Sequence, residues 1–225
     1  MGKNMSYARR HFEKTTAEIA AAAEAGGADL GSLSAYQRLL KSLHDDKVLL
    51  KSVSSIADKV HIKKQALPAY QEWIDGITAA GTVQADDRIA ATVIVWMIDC
   101  GLLDEAMPLA DVLIHSGLES ADEYSRSMPE IIVEQMADQI ESGSEISAES
   151  LKTLIEWATA KKEDGLHEIN LADVIRAKLL KAAGEKAEAA DDNETALNLY
   201  RQAVGYNDKA GVKKRIEALE KQLAS

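Results

Sequence analysis

The sequence holds one cysteine, one phenylalanine and three prolines in 225 residues. A single cysteine cannot close an internal disulfide, so packing alone has to hold the chain, and a reducing compartment is expected. Few prolines, beside abundant Ala, Leu, Ile, Lys and Glu, leave helix as the favoured local structure. There is no long hydrophobic run either. The longest clean one, residues 89–98, has ten residues, well short of the roughly 20 that a spanning helix needs. The first residues, MGKNMSYARRHFEK, show no apolar core and no small-residue cleavage site. No secretory signal and no membrane partner are therefore expected.

The common catalytic signatures are missing too. No G-x-x-x-x-G-K-[ST] is present, so no ATP-driven motor is expected in this chain. There is no G-x-G-x-x-G after a strand-like run, and no G-x-S-x-G. One cysteine and five scattered histidines cannot build a structural zinc site. Cys100 has apolar sequence around it and no basic neighbour along the chain, which reads as an inert, buried thiol. No metal site and no cofactor are expected from these patterns.

What is present is an uneven charge. The net value is −11; residues 1–75 carry 11 Lys/Arg against 9 Asp/Glu, whereas residues 76–225 carry 15 against 28. An acidic body repels nucleic acid. Contact with DNA, if any, is expected from the amino-terminal part or from basic groups multiplied by self-assembly.

The hydrophobic spacing predicts consecutive helices and no strand, hence an all-α fold. A basic helix over 6–24 leads into the glycine-rich linker AGGADLGSLS. Ser34 then caps a long helix over 34–61, with Tyr36, Leu39, Leu40, Leu43, Leu50, Val53, Ala57 and Val60 spaced by threes and fours. That spacing is close to a heptad seam and suits subunit contact. Pro68 opens a helix carrying Tyr70, Trp73, Ile74 and Ile77, and Gly81 ends it. The stretch 89–98 is apolar all round, the mark of a helix packed on several sides. Further helices are expected at 102–116, 128–142, 148–162, 168–189, 192–204 and 209–223. In the tail, Gly184, Ala196, Tyr200 and Ala203 have the small-and-aromatic spacing of one tetratricopeptide unit, read here as a helical hairpin. The expected organisation is 1–30, a basic helix and linker; 31–165, a helical core that oligomerises; and 166–225, the tetratricopeptide-like helices.

Metal-dependent DNA cleavage needs acids that converge on Mg²⁺. Asp45, Asp46, Asp86, Asp87 and Asp99 qualify by identity only, since adjacent acids on a helix point about 100° apart. Asp86 and Asp87 also suit the positive end of the following helix.

Five blocks, in order, carry a resemblance: ARRHF, YQRLLKSLHDDKVLLKSV, LPAYQEWIDGI, DDRIAATVIVWMIDCG and AGVKKRIEALEKQL. Over about residues 7–223 the chain resembles the small terminase subunit of temperate, contractile-tailed phages that package DNA between cohesive ends. The resemblance implies a protein of the host bacterial cytoplasm that recognises the cohesive-end site on phage double-stranded DNA. It also implies ring-like homo-oligomers that recruit and regulate the terminase large subunit, which holds the ATPase. In this group the small subunit is described as the endonuclease subunit, which would bring in Mg²⁺. Arg9, Arg10 and Lys14 on the first helix, with Lys41, Lys47, Lys51, Lys63 and Lys64 along and just beyond the long helix, are the expected phosphate contacts. Two rivals stand beside this reading: a stand-alone Mg²⁺-dependent endonuclease, and a helical-repeat adaptor that binds only protein.

Overall fold

The computed structural model describes residues 35–118 and 126–224. The helix expected over 6–24, its linker, and Arg9, Arg10 and Lys14 lie outside them. The chain divides into two units, Met1–Ile62 and Lys63–Ser225. Among the described residues every regular element is helical, so the fold is all-α, with one isolated bridge between Lys161 and His167.

The helix expected over 34–61 is broken in two: α1 is Ala35–Ser52 and α2 is Ile56–Ala66. Serines make the break. The Ser52 hydroxyl donates back to the Leu49 carbonyl (2.7 Å), and the Ser55 hydroxyl accepts the Asp58 N–H (3.2 Å) as a new helix start. Serine side chains compete with the helical backbone in this way and favour caps. The apolar stripe runs on through the serines in sequence, but only Leu43 and Leu50 of α1 are fully buried.

A 3-10 turn, Leu67–Tyr70, leads into α3, Gln71–Ala80, which ends on Gly81 in the left-handed region (φ 64°). Next comes α4, Arg88–Asp99, and Asp87 sets its start. The Asp87 carboxylate accepts N–H groups from Ile89 (2.9 Å) and Ala90 (3.0 Å), and the indole N–H of Trp73 (2.9 Å) on α3. Burial pushes this carboxyl's pKa up, while the three donors act to lower it. Asp87 is 3% exposed and Asp86 is exposed. Between 89 and 98 all but Val95 are buried.

Around α4 stand α5, Leu103–Ser116, and α6, Met128–Glu141. Asp104 at the head of α5 accepts both the N–H (3.1 Å) and the hydroxyl (2.8 Å) of Ser147, the residue that caps α7, Ala148–Thr159. Ser127 and Glu130 form a reciprocal capping box on α6. Outside α6 lies α8, Asp173–Ala189, tied to it by Lys178–Asp138 (2.6 Å) and Lys181–Glu141 (2.6 Å), and to the loop after it by Lys186–Glu145 (3.6 Å).

The loop between α7 and α8 is clasped by a buried arginine. Arg176, 1% exposed, donates to the carbonyls of Ala158 and Ile169. Its guanidinium lies 5.9 Å from the ring centre of Tyr206, whose hydroxyl meets His167 Nε2 at 2.8 Å. Burial and the nearby Arg176 cation hold the His167 pKa below its ordinary value.

The chain closes with α9, Asn193–Tyr206, and α10, Lys213–Leu223. Gly184 of α8 leaves the space that the Tyr200 ring fills: a Cβ there would lie 2.6 Å from Tyr200 Cε1. The Tyr200 hydroxyl donates to Glu188 (2.6 Å) and accepts from Arg215 of α10 (2.8 Å). Burial and the Glu188 carboxylate push its pKa up to about 12. Arg215 also pairs with Glu185 (3.1 Å) and Glu188 (3.3 Å), which holds α10 to α8.

Three outcomes follow for stability. Gly184→Ala overpacks the Tyr200 ring and is expected to cost about 1–3 kcal/mol in urea unfolding. Gly205→Ala, where nothing lies within 4 Å of the added carbon, is expected to be neutral or to stabilise by up to about 1 kcal/mol. Asp87→Ala removes a cap and strands the Trp73 N–H, so its thermal midpoint falls clearly below that of Asp86→Ala, which stays near wild type.

Candidate nucleic-acid interface

The cations expected to touch phosphate fall into distinct environments. On α1, Lys41 is tied to Asp45 one turn on (3.0 Å), an exposed pair that water and salt loosen readily. Lys47 and Lys51 are four residues apart on the same helix, which places them on one face. Lys51 is exposed and forms no ion pair among the described residues. Arg38 and Lys47 are already engaged in interactions of their own.

On α2, Lys63 donates to the Asp99 carboxylate at the end of α4. Its side chain is 16% exposed, so this ammonium serves as a strut between α2 and α4. Lys64, next to it, is exposed. Both lysines act on Cys100: burial pushes the thiol pKa up, and the two ammonium groups pull against it. The basic neighbours missing from the local sequence around Cys100 are thus supplied by α2.

The candidate acids do not come together. Asp45 pairs with Lys41, Asp87 caps α4 and Asp99 pairs with Lys63. Asp46 has its own partner and Asp86 faces solvent. Among the described residues no three His, Cys, Asp or Glu side chains are grouped so as to hold a metal ion. Among the same residues no helix is long and apolar enough to cross a membrane.

A further set of cations was not singled out by the hydrophobic spacing. Lys209, Lys213 and Lys214 sit at the turn between α9 and α10, all exposed. Their only sequence signal is a local one: the run KAGVKKRI (209–216) has no acid in it.

The comparisons bear on this geometry directly. The family described as phage small terminase subunit matches residues 40–169. The terminase endonuclease subunit of Escherichia phage P2 is 30% identical over 218 residues, covering 97% of this chain and 85% of that protein. No solved structure matches. The matched region takes in α2 through α7 and most of α1, with its exposed lysines and its internally paired acids. The chain belongs to the phage small terminase subunit family, and its role lies in phage DNA packaging.

Proposed function

We propose that this protein is the recognition subunit of the packaging machine. It binds the cohesive-end site on phage double-stranded DNA in the host bacterial cytoplasm and assembles as a homo-oligomeric ring. It recruits and regulates the ATPase large subunit, which cuts and translocates the genome. The observation that carries this reading is the similarity to the phage P2 protein along 97% of the chain.

The side chains support it. Lys51 and Lys64 are exposed cations outside ion pairs, and Lys41 and Lys47 add to them on α1. Arg9, Arg10 and Lys14 extend the set toward the amino terminus. One copy offers few phosphate contacts, and a ring multiplies them. Leu39 and Leu40 of the α1 stripe are only half-buried, and Val48, Leu49 and Ile56 are exposed. These apolar groups suit contact with another subunit.

A second reading has one specific support: the phage P2 relative is named an endonuclease subunit. It would make the chain itself a Mg²⁺-dependent nuclease. The internal pairing of Asp45, Asp87 and Asp99 favours recognition over cleavage.

The test is a gel shift with labelled cohesive-end DNA beside unrelated DNA of equal length, at low salt, with and without Mg²⁺. A selective shift without cuts is expected, fading steeply as salt rises. Reversing charge at Arg9, Arg10 and Lys14 is expected to weaken the shift on both DNAs. A monomer that retains neither DNA at low salt would overturn the reading. Mg²⁺-dependent nicks that follow the protein through purification would establish the nuclease instead.

A further inference from the structure

The acidity of the chain is confined to its middle. Residues 76–169 carry 5 Lys/Arg against 19 Asp/Glu, whereas residues 170–225 carry 10 against 9. The carboxyl-terminal helices are therefore as basic as the amino-terminal third, and their cations are used in a selective way.

Arg176, Lys178, Lys181, Lys186, Arg201 and Arg215 are each paired with a carboxylate of the same chain. Lys221 is engaged as well. The three that remain, Lys209, Lys213 and Lys214, form no ion pair among the described residues and lie within six positions of one another. The cations of this region that stand outside ion pairs are thus gathered at one turn and the start of α10, with the exposed Asp208 and Glu217 on either side.

That turn is held firmly. Asn207 Oδ1 accepts the Lys209 N–H (3.0 Å), and the Asn207 carbonyl accepts the Ala210 N–H (3.0 Å). Gly211 takes a left-handed conformation (φ 83°), and Val212, 1% exposed, packs with Tyr200 and Leu219. The backbone carrying the three lysines is anchored from beneath, while their side chains remain in water. Binding a polyanion there orders side chains and not backbone, which keeps the entropic cost low.

We propose that Lys209, Lys213 and Lys214 form a second DNA-backbone contact, separate from the amino-terminal cations and independent of sequence. It rests on the DNA-packaging reading above. The partner that fits is the phosphate backbone of double-stranded DNA, because lysines on an acid-free run match repeated, closely spaced negative charge. Such contacts hold the duplex in place and leave base recognition to other residues.

The experiment uses the full-length chain and its variant with Lys209→Gln, Lys213→Gln and Lys214→Gln, checked for unchanged helicity and unfolding. Affinity for a labelled cohesive-end duplex and an unrelated duplex is measured across a salt series. Each phosphate contact contributes about 0.9 to the slope of log K against log salt. The variant is expected to lose two to three units of slope, by that rule of roughly 0.9 per contact. Its affinity should fall by a similar factor on both duplexes. An unchanged slope and affinity, with wild type still binding, would overturn the second contact and leave the recognition reading intact. Weakened self-association with unchanged DNA binding would also overturn it, in favour of an acidic face on another copy. Failure of wild type to bind either duplex at low salt would remove the packaging-site reading and this inference together.

Discussion

Ten consecutive uncharged residues, 89–98, leave a helix no face to turn toward water, and the unit from Lys63 onward is arranged around that constraint. α3, α5 and α6 belong to the shell this core requires, and each buried Ile on α4 contributes about 1.5–3 kcal/mol by leaving water. Such a helix cannot end inside apolar surroundings without partners for its terminal N–H and C=O groups. Asp87 supplies the first and is held by the Trp73 indole; Asp99 stands at the other end and is held by Lys63. Asp87 and Asp99, the acids at the two ends of α4, are thus tied up by the core they border. A carboxylate that accepts three N–H donors, or that neutralises an ammonium, is poorly placed to collect Mg²⁺ as well. The requirement for a capped core helix therefore bears on function, since it removes candidates from the catalytic list.

The second layer depends on charge in a different way. α8 meets α6 through Lys178 and Lys181 and the loop after α6 through Lys186, and α10 meets α8 through Arg215. These pairs are partly exposed, so each contributes modestly and less at high salt. Their greater effect is on register, because unlike charges spaced along two helices fix which turn faces which. The Arg176 clasp serves the loop between α7 and α8 in the same manner. It gives the Ala158 carbonyl at the end of α7 and the Ile169 carbonyl in the loop one shared cationic partner instead of leaving them unsatisfied in the interior.

Much of the fold could be read from residue spacing. Helices α3 through α10 all occur near where the apolar periodicity places them, because burial of one face dominates over local preference in long amphipathic segments. However, α7 ends at Thr159 instead of 162, and α8 and α10 start at Asp173 and Lys213 instead of 168 and 209. The break at Ser52–Ser55 could not be read from spacing, since the apolar threes and fours continue straight through it. It was legible only in the serine chemistry, two hydroxyls able to cap backbone groups. The clasp of Arg176, His167 and Tyr206 joins residues up to 39 apart, and no local pattern announces it. Lys63 shows the same limit. By sequence it is one basic residue among several, and only the fold reveals that Asp99, 36 residues away, takes its charge.

The same contrast bears on the proposal that this acidic protein binds DNA. Charge that is neutralised within the chain contributes little to the field at a distance, so what a duplex meets is the residue left over. Over the middle of the chain that residue is strongly negative, which repels DNA and discourages binding along the body. At α1, at the end of α2 and at the α9–α10 turn, the residue is positive. On the proposed reading, a duplex would be attracted at those positions and repelled over the acidic middle, without its bases being read. In the ring proposed above, each such contact would be repeated once per subunit, and contacts that are weak singly become strong together. The contacts proposed for these positions are all to phosphate, so their sum would be reversible by salt.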